Sequence, residues 1–304
     1  MNADRRAARH PLLFAAVTPG DDTEDLARVR GVVQACERVG FHAAVLREGT
    51  TRTPGPFEST TFAAALAVVT THIGLVAGVR ADGLAPYHLA RIAASLDHLT
   101  SGRCGLELRT GDEPDPDAAR AAECLEVVRG LWDSFDDDAF VHDRAQGLYW
   151  HLERMHRLDH TGPHYRVAGP LNVARPPQGH PVVVVTDPRL AASADVVFLH
   201  SVDPSEARSR REELRREVAA AGRDPDQLKV CTPLPAGADA DQVTEWMARQ
   251  ATDGFLVPLT GADDPFLVTV GPELVRRGLA GGGGTLRARL GLARPGSRFA
   301  VARR

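Results

Sequence analysis

Eight short apolar runs punctuate the chain: LLFAAVTP (12–19), HAAVLREG (42–49), IGLVAGVRA (73–81), CGLELRTG (104–111), PVVVVTD (181–187), DVVFLHSV (195–202), LKVCTPLP (228–235) and GFLVPLTG (254–261). Each is rich in apolar residues and bounded by polar ones, the pattern of a strand covered on both faces. Between most of them lie longer segments with apolar positions at helical spacing. DDTEDLARVRGVVQACERVG opens with acidic residues and closes at Gly40. PYHLARIAASLDHLTSGR sets Pro86 in its first turn and puts Leu89, Ile92, Ala93, Leu96 and Leu99 on one face. FESTTFAAALAVVTTH, DPDAARAAECLEVVRGLWDSF, DPSEARSRREELRREVAAAG, DADQVTEWMARQ and DDPFLVTVGPELVRRG repeat the formula. Buried strands alternating with capped helices predict a parallel sheet covered by helices. Eight such units predict an α/β protein with a closed (β/α)8 TIM barrel. A doubly wound open sheet is the rival, but VTPGDD follows the first strand where a dinucleotide fold carries G-x-G-x-x-G.

Three places break the rhythm. Only Pro188 to Ala194 separates PVVVVTD from DVVFLHSV, while a parallel crossover normally needs about 10 to 12 residues. This predicts an irregular wall between the fifth and sixth strands. Residues 136–180 form an insertion too long for a plain loop and too aromatic for a disordered linker, so it is expected to pack on the barrel. The tail, residues 281–304, opens with glycines and continues into a short helical segment that closes the barrel bottom or reaches a partner. The whole chain, 1–304, reads as one barrel domain.

Composition narrows the function. Hydrophobic content of 43% and charge of 25% are those of a globular protein, and a net charge of −4 argues against nucleic acid. The N-terminus lacks a long apolar h-region and no run reaches the roughly 18 apolar residues of a membrane span, so a cytoplasmic protein without membrane attachment is expected. Cys36, Cys104, Cys124 and Cys231 are dispersed, which suits reduced thiols. Thirty-five arginines against the single lysine, Lys229, point to a GC-rich bacterial genome. His151, His156, His160 and His164 cluster in the insertion, two of them four residues apart, but no carboxylate–histidine helix frames them and no metal is assigned. No G-x-S-x-G elbow or Walker loop is present.

PYHLARIAASLDHLTSGRCG, ECLEVVRGLWDSFDDDAFVHDRAQGLY, MHRLDHTGPHYRVAGPLNVARPPQGHPVVV, AAAGRDPDQLKV, EWMARQATDGFLVP and PELVRRGLAGGGGTLRARLGL resemble the bacterial-luciferase-like flavin monooxygenases. The branch they resemble holds nitrilotriacetate monooxygenase, pristinamycin IIA synthase and dibenzothiophene sulfone monooxygenase. The resemblance runs from about residue 57 to 300. It implies a barrel that takes reduced FMN from a separate reductase and reacts it with oxygen and a small organic substrate.

The flavin positions implied by the resemblance depart from it. Where the family ends its second strand in an aspartate, this chain has Glu48; where the third strand ends in Ser/Thr, it has Gly78, Arg80 and Ala81. The W-N-x-V-T-S stretch after the fourth strand is replaced by Leu106, Glu107 and Arg109, and the family's His/Tyr pair falls on Pro114 and Ala118. The Q-A-G-x-S loop that holds the FMN phosphate is replaced by TDPRLAASA, which brings in Asp187, with Arg189 as a compensating charge. No cofactor is therefore assigned, and FMN is the alternative. Glu48, Arg80, Glu107 and Arg109 stand near the C-terminal ends of consecutive strands, where barrel active sites sit. They are expected to face the mouth with a Glu–Arg contact among them, either as an ion-pair network filling vacated space or as an acid/base site. His200 is a further pocket candidate.

Three functions follow: an FMN-dependent monooxygenase, a supporting protein paired with an intact homologue, and a flavin-free pocket enzyme acting on a small molecule. A homodimer or heterodimer is expected.

Overall fold

The computed structural model describes residues 10–17, 26–48, 57–81, 83–110, 118–278 and 283–300. The eight apolar runs become the strands of a closed parallel barrel: β1 (Leu12–Val17), β2 (Ala43–Arg47), β3 (Gly74–Arg80), β4 (Cys104–Arg109), β5 (Val182–Val185), β6 (Val196–Phe198), β7 (Lys229–Pro233) and β8 (Gly254–Pro258). Each pairs with its neighbours in sequence, and β1 closes on β8 with Leu12 opposite Gly254. The helices are α1 (Leu26–Val39), α2 (Ser59–Ala67), α3 (Pro86–Leu99), α4 (Ala118–Trp132), α5 (Pro204–Ala220), α6 (Ala240–Ala248), α7 (Gly271–Arg276) and α8 (Leu286–Arg289). On α3, Leu89, Ala93 and Leu96 are buried, but Leu99 ends the helix on the surface rather than on the packed face. Among the described residues no helix is long and apolar enough to cross a membrane.

Alternation along the strands fills the barrel. Phe14, Ala43, Val45, Val76, Val182, Val184, Val196, Phe198 and Cys231 form an interior cluster, with Phe14 edge-on to Phe198 at 5.2 Å between ring centroids. Leu286, Leu290 and Leu292 of the tail belong to the same cluster. The tail therefore closes the N-terminal end, the first of its two expected roles. Gly74 makes this possible: a Cβ there would stand 2.8 Å from Leu286 Cδ1.

The link after β5 is not irregular, as its length predicts. It is a six-residue 3-10 helix, Pro188–Ser193. The reason is reach. A 3-10 helix rises about 2.0 Å per residue, so six residues return about 12 Å, close to the roughly 13 Å of a four-residue strand. Short strands need only a short crossover.

At the N-terminal end one hydrogen-bonding device recurs. The residue just before β2, β6 and β8 (His42, Asp195 and Asp253) donates its backbone N–H to the carbonyl of the second residue of the preceding strand (Leu13, Val183, Val230) at 2.8–2.9 Å. Its side chain then accepts that same residue's N–H, at 3.2 Å for His42 Nδ1 and 2.9 Å for each aspartate. These N–H groups face a partner strand that begins too late to take them, and a buried donor left unpaired is costly. Before β4 the place is held by Arg103, which instead donates to the Ile73 carbonyl at 2.7 Å. Arginines neutralise the acids: Arg287 Nη2 reaches Asp195 at 2.6 Å and Arg211 Nη2 reaches Asp253 at 2.7 Å. Burial raises both carboxyl pKa values, but the paired guanidinium groups and strand N–H donors outweigh it and hold each below the usual range.

The insertion forms a small hairpin, Phe140–Asp143 with Leu148–Trp150, whose rings pack on Phe135. Glu123 of α4 ties down its later part, accepting from His160 Nε2 (3.0 Å) and from the His164 and Tyr165 N–H groups. His156 hydrogen-bonds Asp136 at 2.9 Å. The closely spaced histidines thus face separate carboxylates on the protein.

Candidate functional site

The C-terminal mouth is built around one rung of the sheet. Arg47 on β2, Gly78 on β3 and Glu107 on β4 lie side by side in register. Counting back from Arg47, Val45 and Ala43 are interior, so Arg47 points inward; Glu107 does the same on β4. Arg47 Nε donates to both Glu107 oxygens, at 2.9 and 3.2 Å, and Nη2 to Oε1 at 2.5 Å. Glu107 is 0% exposed and Arg47 24%. The pair bridges over β3, and Gly78 leaves the room. A Cβ at Gly78 would sit 2.8 Å from Glu107 Oε2 and 3.1 Å from the Leu46 carbonyl oxygen. The Gly78 carbonyl, in turn, accepts from Ser59 Oγ at 2.8 Å, which fixes the start of α2 against β3.

Above this rung, Arg80 and Arg109 are register partners on β3 and β4, both half-buried. Glu48 lies one residue past the end of β2, also half-buried. Burial and the neighbouring Glu58 carboxylate push its pKa up, against the opposing charges of Arg109 and Arg80 and a hydrogen bond from the Ser59 N–H. Four of the residues nominated from the sequence therefore gather at the mouth. The buried ion pair of Glu107, however, uses Arg47, which is not among those nominated. Strand alternation is the signal that points to it.

The crossover after β5 has a different character. Asp187 caps the 3-10 helix and accepts from the Arg189 N–H at 3.0 Å, while Pro188 has no N–H to give. The Arg189 side chain closes on the same carboxylate, with Nε 3.0 Å from each oxygen and Nη2 at 2.6 Å from Oδ2. Burial raises the Asp187 pKa, but the Arg189 hydrogen bonds and charge hold it below the usual range. A carboxylate thus stands at the link where the family resemblance places the phosphate. Arg189 is engaged by Asp187 rather than directed to a ligand.

The remaining nominated residues are dispersed. His200 is exposed just beyond β6, and Ala118 begins α4, half-buried. Pro114 lies outside the described residues.

Comparison with known proteins agrees with this barrel. The luciferase-like monooxygenase model matches residues 10–258. Of the two pristinamycin IIA synthase subunits of Streptomyces pristinaespiralis that this chain matches, the more similar is 47% identical over 292 residues, covering 96% of this chain and 98% of that protein. The other is 34% identical over 208 residues, 61% of this chain and 45% of that protein. Nitrilotriacetate monooxygenase component A of Aminobacter aminovorans is 38% identical over 221 residues, 66% of this chain and 49% of that protein. The chain thus aligns with nearly all of one relative and with about half the length of the other two. In fold it is similar to EDTA monooxygenase from Chelativorans sp. BNC1, with a TM-score of 0.79, 23% identity, and coverage of 94% of this chain and 99% of that one. The chain belongs to the luciferase-like monooxygenase family.

Proposed function

We propose that this chain is the flavin-free member of a two-protein luciferase-like monooxygenase, acting beside an intact homologue that carries the FMN site. The observation that carries this reading is the crossover after β5. Asp187 takes the first available N–H of the link and Arg189 pairs with Asp187, so the start of the link presents a paired carboxylate to a phosphate. Losing two or three charge-assisted hydrogen bonds removes about 3 to 9 kcal/mol, or roughly two to six orders of magnitude in affinity. The buried Arg47–Glu107 pair supports the reading from inside the mouth, where it occupies interior space. The relatives support the pairing as well. Two of them are named as different subunits of one synthase, and this chain matches almost the whole of the shorter match's partner in length while aligning with under half of the other.

The test is titration of the purified chain with oxidised and photoreduced FMN, followed by fluorescence and calorimetry. No saturation in the low micromolar range is expected. Saturable binding there would return the FMN-dependent monooxygenase to first place.

The raised pKa of Glu48, with Arg80 and Arg109 beside it, favours a second reading: a pocket enzyme in which Glu48 moves a proton for a small-molecule substrate. Activity of the chain alone that disappears in Glu48→Gln would select it over the supporting role.

A further inference from the structure

At the opposite end of the barrel, beneath β1, β7 and β8, lies a cavity of about 1180 Å³ walled by α5, the end of α6 and α8. Five cationic side chains line it, Arg211, Arg215, Arg216, Lys229 and Arg289, against the three carboxylates Glu212, Asp226 and Asp253. The carboxylates are already engaged. Asp253 takes both Arg211 and Arg215, Asp226 faces Arg215 at 3.4 Å, and Glu212 pairs with Arg208 at 2.9 Å.

Arg289 Nη2 donates to the His42 carbonyl at 2.6 Å, and its Nε, like that of Arg215, is buried with no hydrogen-bond partner. Burial and the nearby charge of Arg103 pull its pKa down to about 10, against a smaller opposing effect of Glu37. A buried guanidinium donor is normally satisfied, because leaving it unpaired forfeits its hydration without return. The lone lysine of the chain lines the same space, with its Nζ donating to the Asp226 carbonyl at 2.7 Å.

We propose that this cavity is an anion site for a phosphate-bearing small molecule, its phosphate received by Arg289, Arg216 and Lys229. A guanidinium fork matches a phosphate in geometry and charge. Leu12 and Met247 on the wall give an organic portion of the ligand an apolar surface. The site lies at the end of the barrel opposite the mouth, so it stands whether or not the flavin reading does.

The test is calorimetric titration of the whole chain with inorganic pyrophosphate, against sodium chloride of matched ionic strength. Saturable binding with a dissociation constant below about 1 mM is expected, weakened about tenfold or more in Arg289→Gln and in Arg216→Gln. Arg216 is exposed on α5, so its variant keeps the test valid if Arg289→Gln does not fold. Failure to saturate by about 10 mM, equal heats with sodium chloride, or unchanged affinity in Arg216→Gln would overturn the proposal. FMN binding that is lost in Arg216→Gln belongs to this cavity; FMN binding that persists belongs to the mouth and counts against the flavin-free role.

Discussion

At the N-terminal end of the barrel, Asp195 and Asp253 each take a strand N–H as well as a guanidinium. At the C-terminal end, Glu107 takes Arg47 and, among the described residues, no backbone donor. All three carboxylates are buried and each faces an arginine, so burial and charge do not separate them. The backbone does. An aspartate that completes a strand's hydrogen bonding cannot be exchanged for an apolar residue without orphaning an N–H. A glutamate that answers only an arginine is removable together with that arginine. The end with the backbone-bound acids holds the fold; the end with the self-contained pair is where the family's chemistry would sit.

The largest effect expected of this contrast is at Asp195. Asp195→Ala would leave Arg287, 5% exposed in its side chain, without its carboxylate and Val183 without its acceptor. Breaking a buried pair from one side costs about 3 to 5 kcal/mol. Denaturant unfolding should register that loss with the tail detached from the barrel bottom, seen as faster proteolysis beyond residue 283. A loss below about 1 kcal/mol would remove the distinction between the two ends.

His42 gives the same end a pH dependence. Burial and the charge of Arg289 lower its pKa from 6.5 to about 4. The neutral ring accepts the Leu13 N–H. Above pH 6.5 both folded and unfolded chains hold it neutral and its contribution is complete. As pH falls from 6.5 toward 4, the unfolded chain gains a proton that the folded chain refuses. Stability therefore falls across that window, by up to roughly 3 kcal/mol. His42→Asn keeps an acceptor without titrating, so its stability should be flatter over the same range. Parallel curves for the two proteins would show that His42 is not the cause.

The barrel was legible in the sequence because period and length are local. All eight strand segments stand where the apolar runs predict. The charged rim was legible for a similar reason: Glu107 and Arg109 share a side of β4 by alternation. What escaped is non-local. Arg47 and Glu107 are 60 residues apart, and Asp195 and Arg287 are 92 apart. No spacing rule joins them. Arg47 was also hidden by the family resemblance, which places its flavin contact at Glu48, one residue further on. The 3-10 crossover escaped because a parallel return is ordinarily α-helical and longer. The aspartates did leave a trace, since each stands immediately before a buried strand, in SADVVF and ATDGFL.

The smallest effect is expected of a double replacement at the mouth, and it tests the contrast most directly. Glu107→Leu alone strands a partly buried guanidinium and should lose about 1.5 to 3 kcal/mol, the worth of charged hydrogen bonds. Arg47→Met alone strands a carboxylate that is fully buried, and should lose at least as much. Together the two changes remove both charges and leave no backbone donor exposed, so the double variant should fall within about 1.5 kcal/mol of the parent. The coupling from the four proteins of the cycle would then be at least the full cost of a single change. Gly78 sets the limit on what fits, because its missing Cβ makes the space that the pair now fills and that Leu and Met would inherit. A double variant as unstable as the sum of the singles would mean that Glu107 supports the barrel as Asp195 does. A stable double variant that fails to support activity in the proposed two-protein system, where the parent does, would instead give the pair a role in function, with the fold left intact.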